Sequence, residues 1–243
     1  MLFDIVICYG PNDKNIINHM IEHTKKNVIG YRNIYIISYD NNIKIDGCIV
    51  IDENIFPFNK KYIENYINPD RSGWYLQQLL KLYAFFVIEN ILDNILIIDC
   101  DTVFNKPTLF FDDNDKPLYN YGYEYNEPYF DHMKILHPSL KKMDKNKSGI
   151  CHHMVFQKQI LIEIFTLIES HHKKLFYEVF IENSRRDICS SASEYELYFN
   201  YLLQYVNKDL YKIRELKYNY NSNMVNNSEK HYYDYISYHW YIK

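Results

Sequence analysis

Short apolar runs alternate with amphipathic segments along the first third of the chain. The runs at residues 2–8, 34–38 and 48–51 have the length and composition of buried strands. Between the first two runs, the apolar residues of segment 15–26 recur at helical spacing, which predicts a helix with one buried face. Such an alternation is typical of a parallel sheet covered by helices.

The same pattern continues in the middle of the chain and ends in two carboxylates. A polar loop at residues 68–73 precedes a helix predicted at 74–89, and an apolar strand is predicted at 95–98. Asp99 and Asp101 come directly after this strand. Residues two apart in a strand point the same way, so both carboxylates are expected on one side of the sheet edge where α/β proteins bind ligands.

The second half of the chain has a less regular pattern. Residues 112–147 form a polar, tyrosine-rich excursion with one predicted strand at 118–121, of the kind that carries substrate specificity or acts as a lid. Further strands are predicted at 149–156 and 211–218, helices at 159–170, 174–182 and 193–206, and a packed aromatic tail at 232–241. The sequence shows no internal repeat or linker, so we expect a single domain over residues 1–243.

Composition limits the classes of partner. The chain has 243 residues, of which 47% are hydrophobic, enough for one sizeable α/β core. A net charge of −4 with scattered Lys and Arg gives no reason to expect nucleic acid or an anionic membrane surface. The chain holds 26 Tyr and 6 Gly, and its richness in Asn, Ile, Lys and Tyr indicates a viral or otherwise A/T-rich genome.

The cysteines and the N-terminus bear on location. The 5 cysteines lie far apart without zinc-ligand spacing, so reduced thiols in a reducing compartment are expected. The first residues form a strand rather than a leader, and no apolar stretch reaches the length of a membrane span. The expected location is the cytoplasm, or the host cytoplasm for a viral protein.

Two acidic side chains at one strand end need a compensating charge. Asp99 and Asp101 repel each other unless a cation lies between them or one is protonated. A hard divalent cation that carries a phosphorylated ligand satisfies both, as in the Asp-x-Asp site of nucleotide-sugar transferases. The alternative is a turn with two solvated carboxylates, but the apolar run at 95–98 favours a strand end.

Two glutamates begin the helix predicted at 193–206. Ser191 with Glu194 and Ser193 with Glu196 form overlapping capping-box patterns, which are typical of an ordinary helix start. A carboxylate held in a first helical turn can also accept a proton from a sugar hydroxyl. The candidate catalytic base is Glu194, with Glu196 as its competitor.

Three histidines are candidates for the same site. His152 and His153 lie in a predicted strand, so at most one of them points at a ligand. A packed or exposed histidine is the ordinary alternative for each. His239, in the aromatic tail, can fold back onto a cation, and imidazole suits Mn²⁺ better than Mg²⁺.

The segment 71–81 has the features of a phosphate-binding loop and helix start. Arg71 can clamp a diphosphate, Trp74 can stack on or cover a ligand, and free N–H groups at the helix start attract phosphate. Gln78 and Lys81 lie along the polar side of the helix. The alternative is a capped turn followed by core aromatics.

Taken together, these segments resemble the GT-A-type glycosyltransferases, in particular a little-characterised branch known as a domain of unknown function. The resemblance lies in segments 4–8, 71–81, 98–104, 149–156 and 193–198. It implies a single α/β domain of GT-A type, with a Rossmann-like, mostly parallel central sheet flanked by helices. Residues 1–111 would form the nucleotide-sugar-binding half and 112–243 the acceptor-binding half.

The resemblance also implies ligands and roles. A Mn²⁺ or Mg²⁺ ion would lie on Asp101 with His239, and Asp99 would reach the ribose or, through water, the ion. The donor would be a nucleotide-diphosphate-sugar, with a UDP-sugar favoured. The candidate donor contacts in this sequence are Tyr9, Arg71, Trp74, Gln78, Lys81, Asp99 and His153.

The function implied is a hexosyltransferase-like transfer of a sugar to a hydroxyl of a glycan, protein or lipid-linked acceptor. The anomeric centre is inverted or retained, and only inversion requires a carboxylate base. One alternative is a haloacid-dehalogenase-like phosphatase with Asp99 as nucleophile, although that motif normally opens its domain. The other is a non-catalytic module that binds nucleotide sugars.

Overall fold

A five-stranded sheet forms the centre of the protein. The computed structural model describes residues 1–220 and 230–239, so the last two residues of the predicted tail lie outside the described part. The strands are β1 (Phe3–Tyr9), β2 (Val28–Ile29), β3 (Tyr31–Ser38), β4 (Ile49–Asp52), β5 (Asn94–Asp99), β6 (Thr102–Phe104), β7 (Thr108–Leu109), β8 (Leu118–Asn120), β9 (His153–Gln157), β10 (Lys212–Arg214), β11 (Tyr218–Tyr220) and β12 (Tyr235–Ser237).

Helices cover this sheet. They are α1 (Ile17–Asn27), α2 (Lys60–Glu64), α3 (Ser72–Val87), α4 (Glu127–Leu136), α5 (Lys158–His172), α6 (Phe176–Glu182) and α7 (Glu194–Tyr205). No helix within 1–220 and 230–239 combines the length and apolar character needed to cross a membrane.

The sheet order is β4-β3-β1-β5-β9, and only β9 runs antiparallel to its neighbour. The predicted α/β fold with a mostly parallel central sheet is confirmed. The central strands β1 and β5 are apolar almost throughout because helices cover both of their faces.

The strand register brings three chain segments to one edge. Cys8 of β1 lies opposite Asp99, so the carboxyl ends of β1 and β5 meet. Ile98 of β5 lies opposite His153, the first residue of β9. The segment just before β9 therefore enters the sheet beside Asp99.

A smaller sheet ties the C-terminal part to the same edge. Its order is β11-β12-β6, and β12 pairs antiparallel with the strand that follows Asp101. The N–H of Tyr238 donates to the carbonyl of Asp101 over 2.8 Å. The aromatic tail thus packs on the chain directly after the two carboxylates.

The excursion at 112–147 is more ordered than its sequence predicts. It contains α4, which buries Tyr129, Phe130 and Met133 against the core. The sequence analysis missed this helix because it lies within a polar, tyrosine-rich segment, although its first turn carries a proline and its apolar residues recur at helical spacing.

Two of the three strands predicted in the second half, at 149–156 and 211–218, differ from the strands observed. Only residues from His153 onward join the sheet, because residues 149–152 bend away. The predicted strand at 211–218 is two short strands, β10 and β11. The first pairs with β8 and the second with β12.

Candidate active site

Asp99 ends β5 and lies at the centre of a buried polar cluster. Its Oδ1 accepts hydrogen bonds from Lys81 Nζ at 2.5 Å and from the Tyr195 hydroxyl at 2.8 Å. Its Oδ2 lies 3.4 Å from His152 Nδ1. Burial alone would raise the pKa of Asp99, but the Lys81 ammonium and the His152 contact bring it well below its ordinary value.

Lys81 bridges two carboxylates. Its Nζ also donates to Glu194 Oε1 at 2.7 Å, and its side chain is 3% exposed. Burial would lower the pKa of Lys81, but Asp99 and Glu194 raise it above the ordinary value. Burial raises the pKa of Glu194, an effect that Lys81 opposes. The ammonium is therefore the internal cation that lets Asp99 stay ionised.

Helix α7 presents Glu194 to this cluster from its first position. The Ser193 hydroxyl caps the helix by accepting from the N–H of Glu196 at 3.2 Å. The N–H of Glu194 donates to Gln78 Oε1 at 3.0 Å. Gln78 Nε2 is buried and has no hydrogen-bond partner among the described residues. Two of the predicted donor-binding residues, Gln78 and Lys81, thus contact Glu194.

Glu196 belongs to a different network, which corrects its place as a competitor for the base. Its carboxylate accepts from the Ser148 hydroxyl at 2.6 Å, from Lys142 Nζ at 3.1 Å and from Asn200 Nδ2 at 2.7 Å. The residue is 0% exposed. Because successive helical side chains point in different directions, Glu196 holds the loop at 142–148 while Glu194 points to Asp99.

Asp101 pairs with the C-terminal tail. Its Oδ2 lies 2.9 Å from His239 Nδ1, and its Oδ1 is buried without a hydrogen-bond partner among residues 1–220 and 230–239. In the same ranges, no group of three or more His, Cys, Asp or Glu side chains could hold a metal ion. His239 therefore contacts Asp101, and the predicted role of His239 as a metal ligand stays a prediction.

His152, rather than His153, faces the carboxylates. The backbone of His152 has a φ of 61°, a left-handed conformation that costs a side-chain-bearing residue of this kind free energy. Its carbonyl accepts from the N–H of Asp99 at 2.9 Å. Its ring lies 5.0 Å from the His239 ring. The sequence analysis assumed an extended backbone, placed at most one of the two histidines at the site and named His153 as the donor contact.

His153, which was predicted as a donor contact, lies in the core of the protein. Its ring packs edge-on among Phe104, Phe110 and Tyr235, and Asn120 bonds its Nε2. Burial, with a smaller effect of the Arg214 charge, lowers the pKa of His153 to about 3. A neutral core histidine of this kind cannot reach a ligand at the sheet edge.

Arg71 and Trp74 join the start of α3 to the segment before α7. The Arg71 guanidinium donates to the Cys189 carbonyl at 2.8 Å and to the Ser190 hydroxyl at 3.1 Å. It also lies 4.7 Å from the centre of the Trp74 ring. These contacts anchor the segment that leads to Glu194, and a role of either residue toward phosphate stays a prediction.

Tyr9 and Asp13 flank the end of β1. The Tyr9 ring stacks on Tyr39 with centroids 5.6 Å apart. Asp13, which was not among the predicted site residues, accepts from the N–H of Gly10 at 3.0 Å. Burial raises the pKa of Asp13 to about 6, and the nearby charges of Asp101 and Asp99 add to the rise.

The sequence analysis also missed Tyr195, whose hydroxyl donates to Asp99, because nothing in the local sequence distinguishes it from the other tyrosines.

A separate cavity of about 370 Å³ lies near the other end of α7. Lys147, Leu203 and Tyr211 contribute to its lining. None of the predicted site residues lines it, so its size does not mark the candidate site.

Comparison with solved structures shows the same fold elsewhere. The chain superposes on the crystal structure of an active-site mutant of LgtC with a TM-score of 0.51 and 11% sequence identity. The alignment covers 97% of this chain and 87% of that one. At this identity the likeness shows the fold alone, which is of the GT-A type.

Comparison by sequence shows the family. No curated protein matches the chain. Residues 31–240 match a family described as "Family of unknown function (DUF6492)". Because the match covers most of the chain, this protein belongs to the DUF6492 family.

Proposed function

We propose that this protein is a metal-dependent glycosyltransferase that moves a sugar from a nucleotide-diphosphate-sugar to an acceptor hydroxyl. One observation supports it most. In a fold shared with the glycosyltransferase LgtC, Asp99 and Asp101 lie at the carboxyl end of β5, and His239 of the C-terminal tail contacts Asp101 there. Ligands of α/β sheets bind at such strand ends.

Asp101 and His239 are the residues that would hold a Mn²⁺ or Mg²⁺ ion. Asp101 fits this role because its buried Oδ1 lacks a partner among the described residues, and carboxylate with imidazole suits Mn²⁺. Two protein ligands are enough when substrate phosphates complete the coordination. When bound, the ion supplies Lewis-acid neutralisation of the diphosphate leaving group. Asp99 would contact the ribose of the donor, or the ion through a water molecule.

Glu194 is proposed as a positioning residue rather than as a free base. Its carboxylate accepts from Lys81 and its side chain is 5% exposed, so an acceptor hydroxyl does not reach it in this conformation. Glu194 and Asp99 together hold the buried Lys81 ammonium beneath the sheet edge, where it neutralises both carboxylates. We therefore favour retention of configuration, which needs no carboxylate base at this position.

The donor half would include the end of β1 with Tyr9, and the start of α3 with Arg71, Trp74 and Gln78. A UDP-sugar is the favoured donor. The acceptor, a hydroxyl of a glycan, protein or lipid-linked sugar, would bind the half formed by 112–243. We place the reaction in the cytoplasm, or the host cytoplasm for a viral protein, because the 5 cysteines are free thiols.

Donor hydrolysis in the absence of acceptor tests the proposal. Wild-type protein should release free sugar from a nucleotide-sugar in the presence of Mn²⁺, and Asp101→Asn should lower that rate by about a hundredfold, as removal of a key electrostatic group does. Asp93→Asn is the matched control, because that side chain is 81% exposed and precedes the same strand. Normal metal-dependent hydrolysis by Asp101→Asn would contradict the site assignment.

The same assay separates the alternatives. The likeness to LgtC favours glycosyl transfer over a phosphatase, for which a trapped phospho-aspartate on Asp99 would be the evidence. A non-catalytic module would bind the nucleotide-sugar without turning it over.

A further inference from the structure

A tyrosine-rich loop borders the candidate active site. In residues 121–126, here called the rim loop, Glu124 Oε1 lies 3.9 Å from His152 Nε2. The Tyr220 hydroxyl donates to the same carboxylate oxygen at 2.5 Å. Since His152 also contacts Asp99, a single side chain, that of His152, separates the rim loop from the centre of the buried cluster.

The rim loop is held at both ends. Gly122 and Ser148 exchange two backbone hydrogen bonds of 2.8 Å, and a Cβ on Gly122 would collide with the carbonyl oxygen of Ile150. At the other end, Asn126 Nδ2 donates to the Ser190 carbonyl at 2.9 Å. The loop therefore has a defined conformation next to the site.

Two tyrosine rings of this loop are exposed although their hydroxyls are tethered. Tyr123 is 62% exposed and donates to Glu215 at 2.6 Å, and Tyr125 is 57% exposed and donates to Glu127 at 2.7 Å. The tethers restrict the rings, and although Tyr123 contacts the Tyr121 ring and Tyr125 contacts the Phe130 ring, more than half of each residue remains in water. Large, restricted and uncovered aromatic faces are suited to an apolar surface that arrives with a ligand.

We infer that Tyr123 and Tyr125 form a stacking subsite for the sugar units of an uncharged glycan acceptor. This inference rests on the proposed function. The C–H face of a pyranose ring is an apolar surface of suitable size. Glu124, Glu127 and Glu215 surround the two rings with negative charge, so sialylated or sulfated sugars would be repelled. The reacting unit would lie at the Asp99 edge and the adjoining units on the rim loop.

Binding of wild-type protein to an array of neutral oligosaccharides and their sialylated and sulfated counterparts tests the subsite directly. Neutral glycans should be bound, and Tyr123→Ala or Tyr125→Ala should each weaken binding, and raise the acceptor KM in transfer assays, by roughly threefold to tenfold. Tyr123→Phe should keep most of the binding, because it keeps the ring that contacts the sugar and loses only the tether to Glu215. Donor hydrolysis without acceptor should be unchanged in these variants.

Tyr205→Ala is the matched control. Tyr205 is also exposed, at 46%, and its hydroxyl is tethered to Ser139 at 2.6 Å, but it lies at the far end of α7. The inference would be overturned if Tyr205→Ala lost as much glycan binding as the rim-loop variants, or if both rim-loop alanine variants bound like wild type. It would also be overturned if the wild-type protein preferred acidic glycans or bound no glycan. Tyrosine-dependent glycan binding without any donor hydrolysis would instead refute the proposed function and keep the subsite.

Discussion

At the scale of single residues, the central fact is the pairing of Asp99 with Lys81. A carboxylate this close to a second one was expected to need a metal ion, yet the nearest positive charge is an ammonium from α3. The chain thus supplies one cation itself. Asp101 is therefore the better candidate to bind an external ion, because its Oδ1 is buried and has no hydrogen-bond partner among the described residues.

Removal of that ammonium should be costly. Lys81→Met leaves Asp99 and Glu194 buried without their cation, so the free energy of unfolding should fall by about 3 to 5 kcal/mol. Urea denaturation at pH 7 measures this. Lys174→Met is the control: its ion pair with Glu182 is exposed, and its loss should change stability little. Equal effects of the two substitutions would show that the buried cluster carries no special stability.

Two buried histidines should make the protein sensitive to acid. Burial lowers the pKa of His153 to about 3 and that of His132 to about 4, from an ordinary value of 6.5. Below pH 6.5 the unfolded chain binds protons that the folded chain refuses. Stability should therefore be complete above pH 6.5 and fall below it, by about 1.4 kcal/mol per pH unit for each histidine.

Asp13 has the opposite effect on the pH dependence of stability, so its substitution tests the prediction for the two histidines. Its raised pKa of about 6 means that the folded protein gains stability as the pH falls through 6 toward the ordinary value of 3.8. Asp13→Asn removes this opposing effect, so its stability should fall more steeply between pH 6.5 and 5 than that of wild type. The exposed substitution His231→Asn should keep the wild-type slope. A stability independent of pH in Asp13→Asn would contradict the assignment of neutral, buried histidines.

At the scale of elements, the pairing of β12 with β6 delivers His239 to Asp101. Ile236 of β12 lies opposite Val103 and is 0% exposed. Its side chain therefore holds the strand that carries the histidine three residues later. The site depends on an interaction between segments more than a hundred residues apart in the chain.

Ile236→Ala should affect both stability and metal dependence. The cavity should lower the free energy of unfolding by about 2 to 5 kcal/mol, and a displaced His239 should raise the Mn²⁺ concentration needed for half-maximal donor hydrolysis. Ile164→Ala in α5 is the matched control, because Ile164 is equally buried but remote from the site. It should lose stability and keep the wild-type Mn²⁺ requirement. The same Mn²⁺ requirement in both variants would contradict the role of β12.

At the scale of the whole molecule, ligand binding should stabilise the fold. A nucleotide-sugar with Mn²⁺ at about a hundred times its Kd should raise Tm by roughly 5 to 10 °C. UDP-, GDP- and CMP-sugars can be compared by thermal shift, and the UDP-sugar should give the largest change. Asp101→Asn should lose the part of the shift that requires Mn²⁺. The absence of any shift with all three donors would argue for a protein that binds no nucleotide-sugar.

The apolar runs of β1, β3 and β5 predict the core of the fold well, because a strand covered on both faces must be apolar along its length. The change from the apolar run of β5 to Asp99 is also visible within a few residues of sequence, so the position of this carboxylate at the sheet edge could be predicted. The helix α4 was missed because it lies within a segment whose overall polar composition indicates a loop. Its burial depends on packing with the core.

What the sequence by itself determined is the α/β class, the central strands and the place of the two carboxylates at a strand end, since each follows from the spacing of apolar residues along a short segment. The tertiary structure alone decided which charges meet. Lys81, Glu194 and His239 reach the carboxylates from α3, α7 and the tail, and a left-handed backbone turns His152 toward them in place of His153. Local periodicity carries no information on such long-range pairings, because they depend on how whole elements pack.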